Sequence, residues 1–313
     1  MENENELIRT LTDPAATPLS DILAFESLEA VGILTTPQDC PMVEMLLPRA
    51  EHIYNIVHEW VETALNTTYS QGIYDGYDLS GVGLVGGTPA RGVTYVMAYA
   101  QIARVGGLAQ ATKTVDGNAM LIELRDKYIQ LLRGMEYYIW NGNHGSSALQ
   151  TNGIATQVTT AVSNGGGALS EAVLQAAVIQ AIEDGIMPNL ITATPTVCMR
   201  VANFTEDRIS QYTVESVKGG IGQNSFLYFT PFGYNLQVLP IRPSFHPTGK
   251  VFVFEKELLS LVYMNGQSDA VIQLQDRPNT NDGVDKVIKS YFGVKVYKAA
   301  KHRVITNVAE SLS

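Results

Sequence analysis

The residues of this 313-residue chain that could do chemistry are five histidines, two cysteines, scattered carboxylates and several glycine clusters. His52 and His58 are the closest pair of histidines, but a six-residue spacing misses the three or four that puts two metal ligands on one helix face. Cys40 and Cys198 form no Cys-x-x-Cys pair, so reduced, buried thiols are expected rather than a disulfide framework or a zinc knuckle. Cys198 lies among apolar residues with no histidine beside it, and no Gly-x-Ser-x-Gly elbow occurs, which leaves nucleophilic catalysis without support. Gly81-x-Gly83-x-x-Gly86 has the spacing of a dinucleotide-binding turn. Yet polar and aromatic Tyr74 to Leu79 stand where its strand belongs, and Thr88-Pro-Ala-Arg-Gly-Val leads into a strand instead of a helix. Gly219-Gly-Ile-Gly222 lacks the Lys-Ser/Thr ending of a phosphate loop. Asp13, Asp21, Asp39, Glu44 and Glu51 read as solvated acids, not as an acid–base pair. No catalytic, cofactor-binding or metal-binding residue is assigned. What remains is contact chemistry: Tyr69, Tyr74 and Tyr77 in a glycine-rich stretch suit a surface that meets another protein chain.

A net charge of −10 disfavours sequence-specific DNA binding, which needs a basic surface to displace counterions. With 45% hydrophobic and 17% charged residues the chain can bury a large core, in one elaborate domain or two. Its first residues are acidic and no apolar run approaches the ~18 residues that span a bilayer, so a soluble product in a reducing compartment is expected, with no membrane partner.

The element around which the rest is arranged is a helix from Asn118 to Gly142, with Asn118 as N-cap and Gly142 as a left-handed C-cap. Leu121, Leu124, Tyr128, Leu131, Met135 and Tyr138 recur at spacings of three and four and predict its apolar face. Ile122, Ile129, Leu132 and Ile139 widen that face enough to call for a sheet as its partner. Glu123, Asp126, Lys127, Gln130 and Arg133 form the polar stripe. Residues 1 to about 48, broken by Pro14, Pro18, Pro37, Pro41 and Pro48, read as an arm that needs something to lie against. The spacing of Ile53, Ile56, Val57, Trp60 and Val61 predicts a helix from Arg49 to Leu65. Thr67 to Gly92 reads as a flexible excursion, and Val93 to Ala103 as its inward strand. A domain boundary is expected near Gly165-Gly-Gly167. Beyond it come a buried helix from Glu171 to Asp184, capped by Ser170 and ended by Gly185, and a short strand at Leu190 to Ala193. Thr194-Pro195 then opens another helix. A hairpin of Phe226–Phe229 and Leu236–Leu239 follows, with strands at Val251–Phe254, Leu259–Met264, Val287–Phe292, Val294–Tyr297 and Val304–Val308. The last of these are expected to return to the long helix.

This order of arm, glycine-rich excursion, long helix, compact α+β unit and returning strands resembles the major capsid proteins of tailed bacteriophages, the Hong Kong 97 fold. The resemblance is carried by Glu62 before the loop, Glu136 and Gly142 at the end of the helix, and Tyr228-x-Thr-x-Phe-Gly233 followed by Leu236-x-Val238. Gly249-Lys-Val-Phe-Val-Phe254 and Thr306-Asn307 carry it as well. It implies an α+β fold with an N-terminal arm at 1–58, an E-loop at 59–116, a peripheral domain at 117–166 and 270–313 with its spine helix at 118–141, and an axial domain at 167–269. It further implies hexamers and pentamers of the chain itself closing into an icosahedral shell around packaged double-stranded DNA. The implied partners are a portal, a separate scaffolding protein, since no extra N-terminal scaffolding region is evident, and in some relatives a decoration protein. Such a protein is not an enzyme; it is assembled in the host cytoplasm and resides in the virion capsid. An encapsulin-like nanocompartment shell shares the fold and is the alternative. An arm and a loop with little core of their own gain order by burying surface on neighbours, which makes protection of 67–92 from proteolysis an expected consequence of assembly.

Overall fold

The computed structural model describes residues 40–64, 88–111, 119–206, 226–230, 233–264, 270–278 and 282–310. The arm before Cys40, both glycine motifs at 81–86 and 219–222, Tyr69, Tyr74, Tyr77 and the Asn118 cap fall outside them. In chain order the elements are α1 (Pro41–Leu46), β1 (Glu51–Ile53), β2 (Val57–Ala64), β3 (Thr88–Tyr95), β4 (Met97–Val105), α2 (Gly107–Ala111) and the spine helix α3 (Ala119–Asn141). They continue with α4 (Ile154–Gln157), β5 (Ala161–Ser163), α5 (Glu171–Glu183), β6 (Leu190–Ala193), α6 (Pro195–Glu206), β7 (Phe226–Phe229) and β8 (Asn235–Pro240). The last are β9 (Val251–Phe254), β10 (Leu259–Met264), β11 (Ile272–Arg277), β12 (Val284–Val296) and β13 (Arg303–Thr306). The mixture is α+β, as the sequence predicts.

Two compact units are formed: among the described residues one takes Tyr99–Gly134 and Ile272–Ser290, the other Cys40–Ala98, Met135–Val271 and the chain from Tyr291 on. In the first, Met120 and Leu124 of the spine helix pack with Ala103 and Val105 of β4 and Val284 of β12, so a helix on strands forms as its wide apolar face required. β11 pairs antiparallel with the first half of β12, from Ile272 opposite Ser290 to Arg277 opposite Asp285. Arg104 grips Asp285 through two hydrogen bonds of 2.8 and 2.7 Å and holds its carboxyl below the usual range.

The core of the second unit is a six-stranded sheet in the order β5-β13-β9-β6-β8-β7. β6 and β9 are buried at every position, which is why Leu190–Ala193 and Val251–Phe254 are continuous apolar runs instead of alternating ones. α5 lies against this sheet. Ser170 Oγ accepts from the Val173 amide at its start, while Gly185, at φ +88°, lets the Gly185 and Ile186 amides return to Ile182 and Ala181 at its end. Its small residues predict burial all round, but the structure buries one face, through Leu174, Ala177, Val178 and Ala181, and leaves Ile179 exposed.

Three further expectations change. Arg49–Leu65 is not a helix: after a 3-10 turn it forms β1 and β2, and β2 pairs residue for residue with β3, from Val57 opposite Tyr95 to Ala64 opposite Thr88. Its apolar residues satisfy a helical period by accident, while β-branched Val57, Val61 and Thr63 suit the pairing that wins. Val304–Val308 is placed by a sheet: β13 runs antiparallel to β9 and parallel to β5 inside the six-stranded sheet. Val287–Phe292 and Val294–Tyr297 are one strand, β12, because Gly293 does not break it: a Cβ there would stand 2.8 Å from the Tyr95 carbonyl oxygen.

The spine helix has 23 residues, and its Glu123–Lys127 pair closes to 3.6 Å. Of the positions placed on its apolar face by spacing, Leu131, Met135 and Ile139 are buried while Leu121 and Tyr128 are exposed, and Met120, Glu136 and Trp140 are buried as well. A Cβ on Gly134, inside this helix, would meet nothing within 4 Å. Gly134→Ala should therefore raise unfolding stability by about 0.5–1 kcal/mol, readable as a higher denaturant midpoint. No helix among the described residues is long and apolar enough to cross a membrane.

Candidate assembly site

Strand alternation gives the β2–β3 ribbon two faces. His58, Trp60 and Glu62, with Thr94 and Gly92 opposite, turn toward the body of the second unit; Val57, Glu59, Val61 and Thr63 turn outward. Trp60 is buried on the inner face, edge-on to Tyr297 at 5.8 Å and stacked on His58 at 6.0 Å. It fits because its cross-strand neighbour is Gly92, where a Cβ would lie 2.2 Å from the indole. Trp60 Nε1 donates to Glu62 Oε1 at 2.8 Å, and the same oxygen accepts the Lys298 amide at 2.6 Å. Lys295 bonds Glu51 at 2.8 Å with its ammonium 4.2 Å from the Tyr297 ring centre. Burial lowers that ammonium's pKa, but Glu51 and Tyr297 outweigh it and the net shift is upward. Outward, Val61 is exposed and Arg91 pairs Glu59 at 3.5 Å across the strands.

A second feature anchors the stretch that follows the arm. The first amides of α1 have no side-chain cap from Cys40. Glu136 of the spine helix supplies it from 93 and 94 residues away: its Oε2 accepts Val43 N at 2.9 Å and Met42 N at 3.0 Å, and its Oε1 accepts Trp140 Nε1 at 3.3 Å. Trp140 continues into an aromatic group, 4.8 Å from His246 and 5.4 Å from Phe252, which stacks on Phe254, itself 5.6 Å from His302. Burial pushes Glu136 up to about 7 against the opposing pull of the Val43, Met42 and Trp140 donors, with Glu44 adding to the rise. Burial likewise pushes His246 and His302 down to about 4.

These shifts have opposite signs in stability. Glu136 holds in the folded state a proton that the unfolded chain, with its ordinary value of 4.5, releases; its contribution is present at low pH and is lost as pH rises toward 7. The two histidines are neutral when folded and charged when unfolded below 6.5, so their contribution is lost as pH falls toward 4. Two protons against one leave a net gain with rising pH of about 1.4 kcal/mol per unit between roughly pH 5 and 6. Glu136→Gln should nearly double that slope, measured as denaturant midpoints of the free subunit across this range; an unchanged slope would contradict the assignment.

The residues singled out by chemistry in the sequence are not brought together. His52 meets Tyr54 and Tyr263 edge-on, whereas His58 lies on Trp60. Cys40 and Cys198 are buried and not joined in a disulfide, and burial pushes the Cys198 thiol up to about 12. Among the described residues no three His, Cys, Asp or Glu gather as a metal site. Glu51, read as a solvated acid, is the partner of Lys295. The Glu136 anchor was missed, though its signal was there: a carboxylate sits between Met135 and Ile139 on the apolar side of the helix.

A ribbon open on one face and an arm-proximal helix pinned by a buried carboxylate, on a six-stranded α+β unit with a long helix, define a shell-forming structural protein with the Hong Kong 97 fold. The chain superposes on the capsid of cyanophage A-1(L) with a TM-score of 0.63 at 11% identity, over 91% of this chain and 96% of that one. It superposes on the holo-SrpI encapsulin of Synechococcus elongatus PCC 7942 at 0.62 and 14%, over 92% and 94%. For the structure from Mycobacterium phage Bobi the values are 0.59 and 13%, over 92% and 97%. Likeness at such identities shows the fold alone. A family model of the SU10 major capsid protein matches residues 9–309, and the chain belongs to that family: it is a major capsid protein of the tailed-bacteriophage kind. No curated protein sequence matches it.

Proposed function

We propose that copies of this chain form hexamers and pentamers that close into an icosahedral shell around packaged double-stranded DNA, with no enzymatic role. The observation that carries this reading is the ribbon: its inner face is sealed on its own subunit by Trp60, while Val57 and Val61 stay exposed on the other. In this division residues 1–58 are the arm, 59–116 the E-loop, 117–166 and 270–313 the peripheral domain and 167–269 the axial domain, with β13 contributed to the axial sheet. Assembly takes place in the host cytoplasm with a separate scaffolding protein and a portal; a decoration protein at the lattice axes would reinforce the shell. An acidic chain suits this task, because a strongly basic lining would immobilise the DNA. Electron microscopy of the protein expressed with its scaffold tests the reading. Closed icosahedral particles are expected, compact monomers alone would overturn it, and an enzyme cargo in place of DNA would favour the encapsulin-like shell.

The shell is held without covalent links. Linking an E-loop to a neighbour through an amide needs an amine, and the first lysine of the chain, Lys113, falls at the base of the loop next to the spine helix in sequence; farther out only Arg91 and Arg104 are basic, and a guanidinium stays protonated and is a poor nucleophile. Denaturing electrophoresis of mature particles should give one band near 34.1 kDa. A ladder surviving heat and reductant would contradict this.

A further inference from the structure

We propose that Glu62 is a positioning residue that sets the angle at which the β2–β3 ribbon leaves its subunit. The proposal deepens the shell reading, in which the ribbon meets a neighbouring copy, but the clamp is a property of the single chain. The ribbon is a sheet of two strands, so its ladder holds the strands to each other and orients neither against the body. Two attachments do so. At the root Val96 is buried with Ile53 and Val262, and Tyr95 stacks on His144 at 3.7 Å. Six residues out along β2, roughly 20 Å at strand rise, Glu62 Oε1 takes both the indole N–H of Trp60 and the amide of Lys298.

One attachment leaves a hinge; two fix a direction. The turn that receives Glu62 is itself unusual, since Lys298 has φ +51°, a left-handed conformation that a lysine adopts at a cost and keeps where the surroundings hold it. Trp60 fills the space between the attachments only because Gly92 offers no Cβ to oppose it. What the site needs from position 62 is one acceptor oxygen shared by two donors, and a charge is not required for that.

The test uses the full-length free subunit labelled with 5-fluorotryptophan, which gives two fluorine resonances, for Trp60 and Trp140. Glu62→Leu should move the Trp60 resonance toward its solvent-exposed position and speed exchange of the Lys298 amide at least ten-fold, while Trp140 and the amides of β9 stay as in the wild type. Glu62→Gln keeps an acceptor oxygen and should behave as wild type in both readouts. Wild-type behaviour of Glu62→Leu would overturn the clamp, as would equal effects of the Leu and Gln variants. A Trp140 resonance displaced as far as that of Trp60 would also overturn it, because general loss of packing would then explain the change. Assembly with scaffold is a separate arm: Glu62→Leu should lower the yield of closed particles at least several-fold relative to wild type. Failure of the wild type to assemble would count against the shell reading, not against the clamp.

Discussion

Glu136→Ala should lower the unfolding free energy of the subunit by about 3–5 kcal/mol, because three buried donors lose their acceptor at about 1–3 kcal/mol each and the losses are not fully additive. The side chain is fully buried and serves three donors, the amides of Met42 and Val43 and the indole of Trp140, and truncation leaves all three without an acceptor in a place water does not reach. α1 is the element most exposed to that loss, because its six residues cannot sustain a helix without an external cap. Amide exchange at Met42 and Val43 should therefore accelerate to nearly the global unfolding rate, and urea unfolding should show the lost stability. Glu136→Gln keeps an acceptor for the two amides and gives up the indole bond, so a loss of about 1 kcal/mol is expected. An alanine variant within 0.5 kcal/mol of wild type would show that the anchor carries no weight.

The second large effect is expected at the end of the spine helix. Gly142→Ala should cost about 2–4 kcal/mol, because a Cβ there would stand 2.5 Å from the Thr151 carbonyl oxygen and 2.7 Å from that of Tyr138, and backbone cannot swing aside as a side chain can. The returning loop is tied to this point: Gly153 N donates to Gly142 O at 2.8 Å and Thr156 Oγ1 donates to the same oxygen at 2.7 Å. Gly153 is under the same constraint, with Gly142 N and Trp140 O at 2.7 and 2.8 Å from its would-be Cβ, so Gly153→Ala should destabilise as well and the double variant by less than the sum. Gly142→Asn discriminates the cause. Gly142 does not have the positive φ of the left-handed C-cap that its place at the helix end predicts, so close backbone approach is the constraint and asparagine should be as costly there as alanine. Gly167→Ala, with open space around its Cβ and no positive φ, should stay within 0.5 kcal/mol of wild type in the same unfolding experiment.

Particular residues show what was legible without a structure. The spine helix, the Ser170 cap, the Gly185 termination, the Phe226–Phe229 hairpin strand and the buried runs of β6 and β9 are all set by local rules, in which a cap, a period or an apolar run acts over a few residues. The acidic balance, the absence of a ligand-spaced histidine pair and the resemblance to tailed-phage capsid proteins came from the same source. Tertiary structure decided the rest, because the partners are distant in the chain. Val57–Ala64 became a strand when Thr88–Tyr95 offered it a ladder, against a spacing that also satisfied a helix. Gly142 and Gly293 proved to be sites of close backbone approach, which no neighbouring residue announces. Glu136 and Glu62 acquired their roles from amides 94 and 236 residues away, and the cost of a buried carboxylate is offset only once the fold has brought those donors to it.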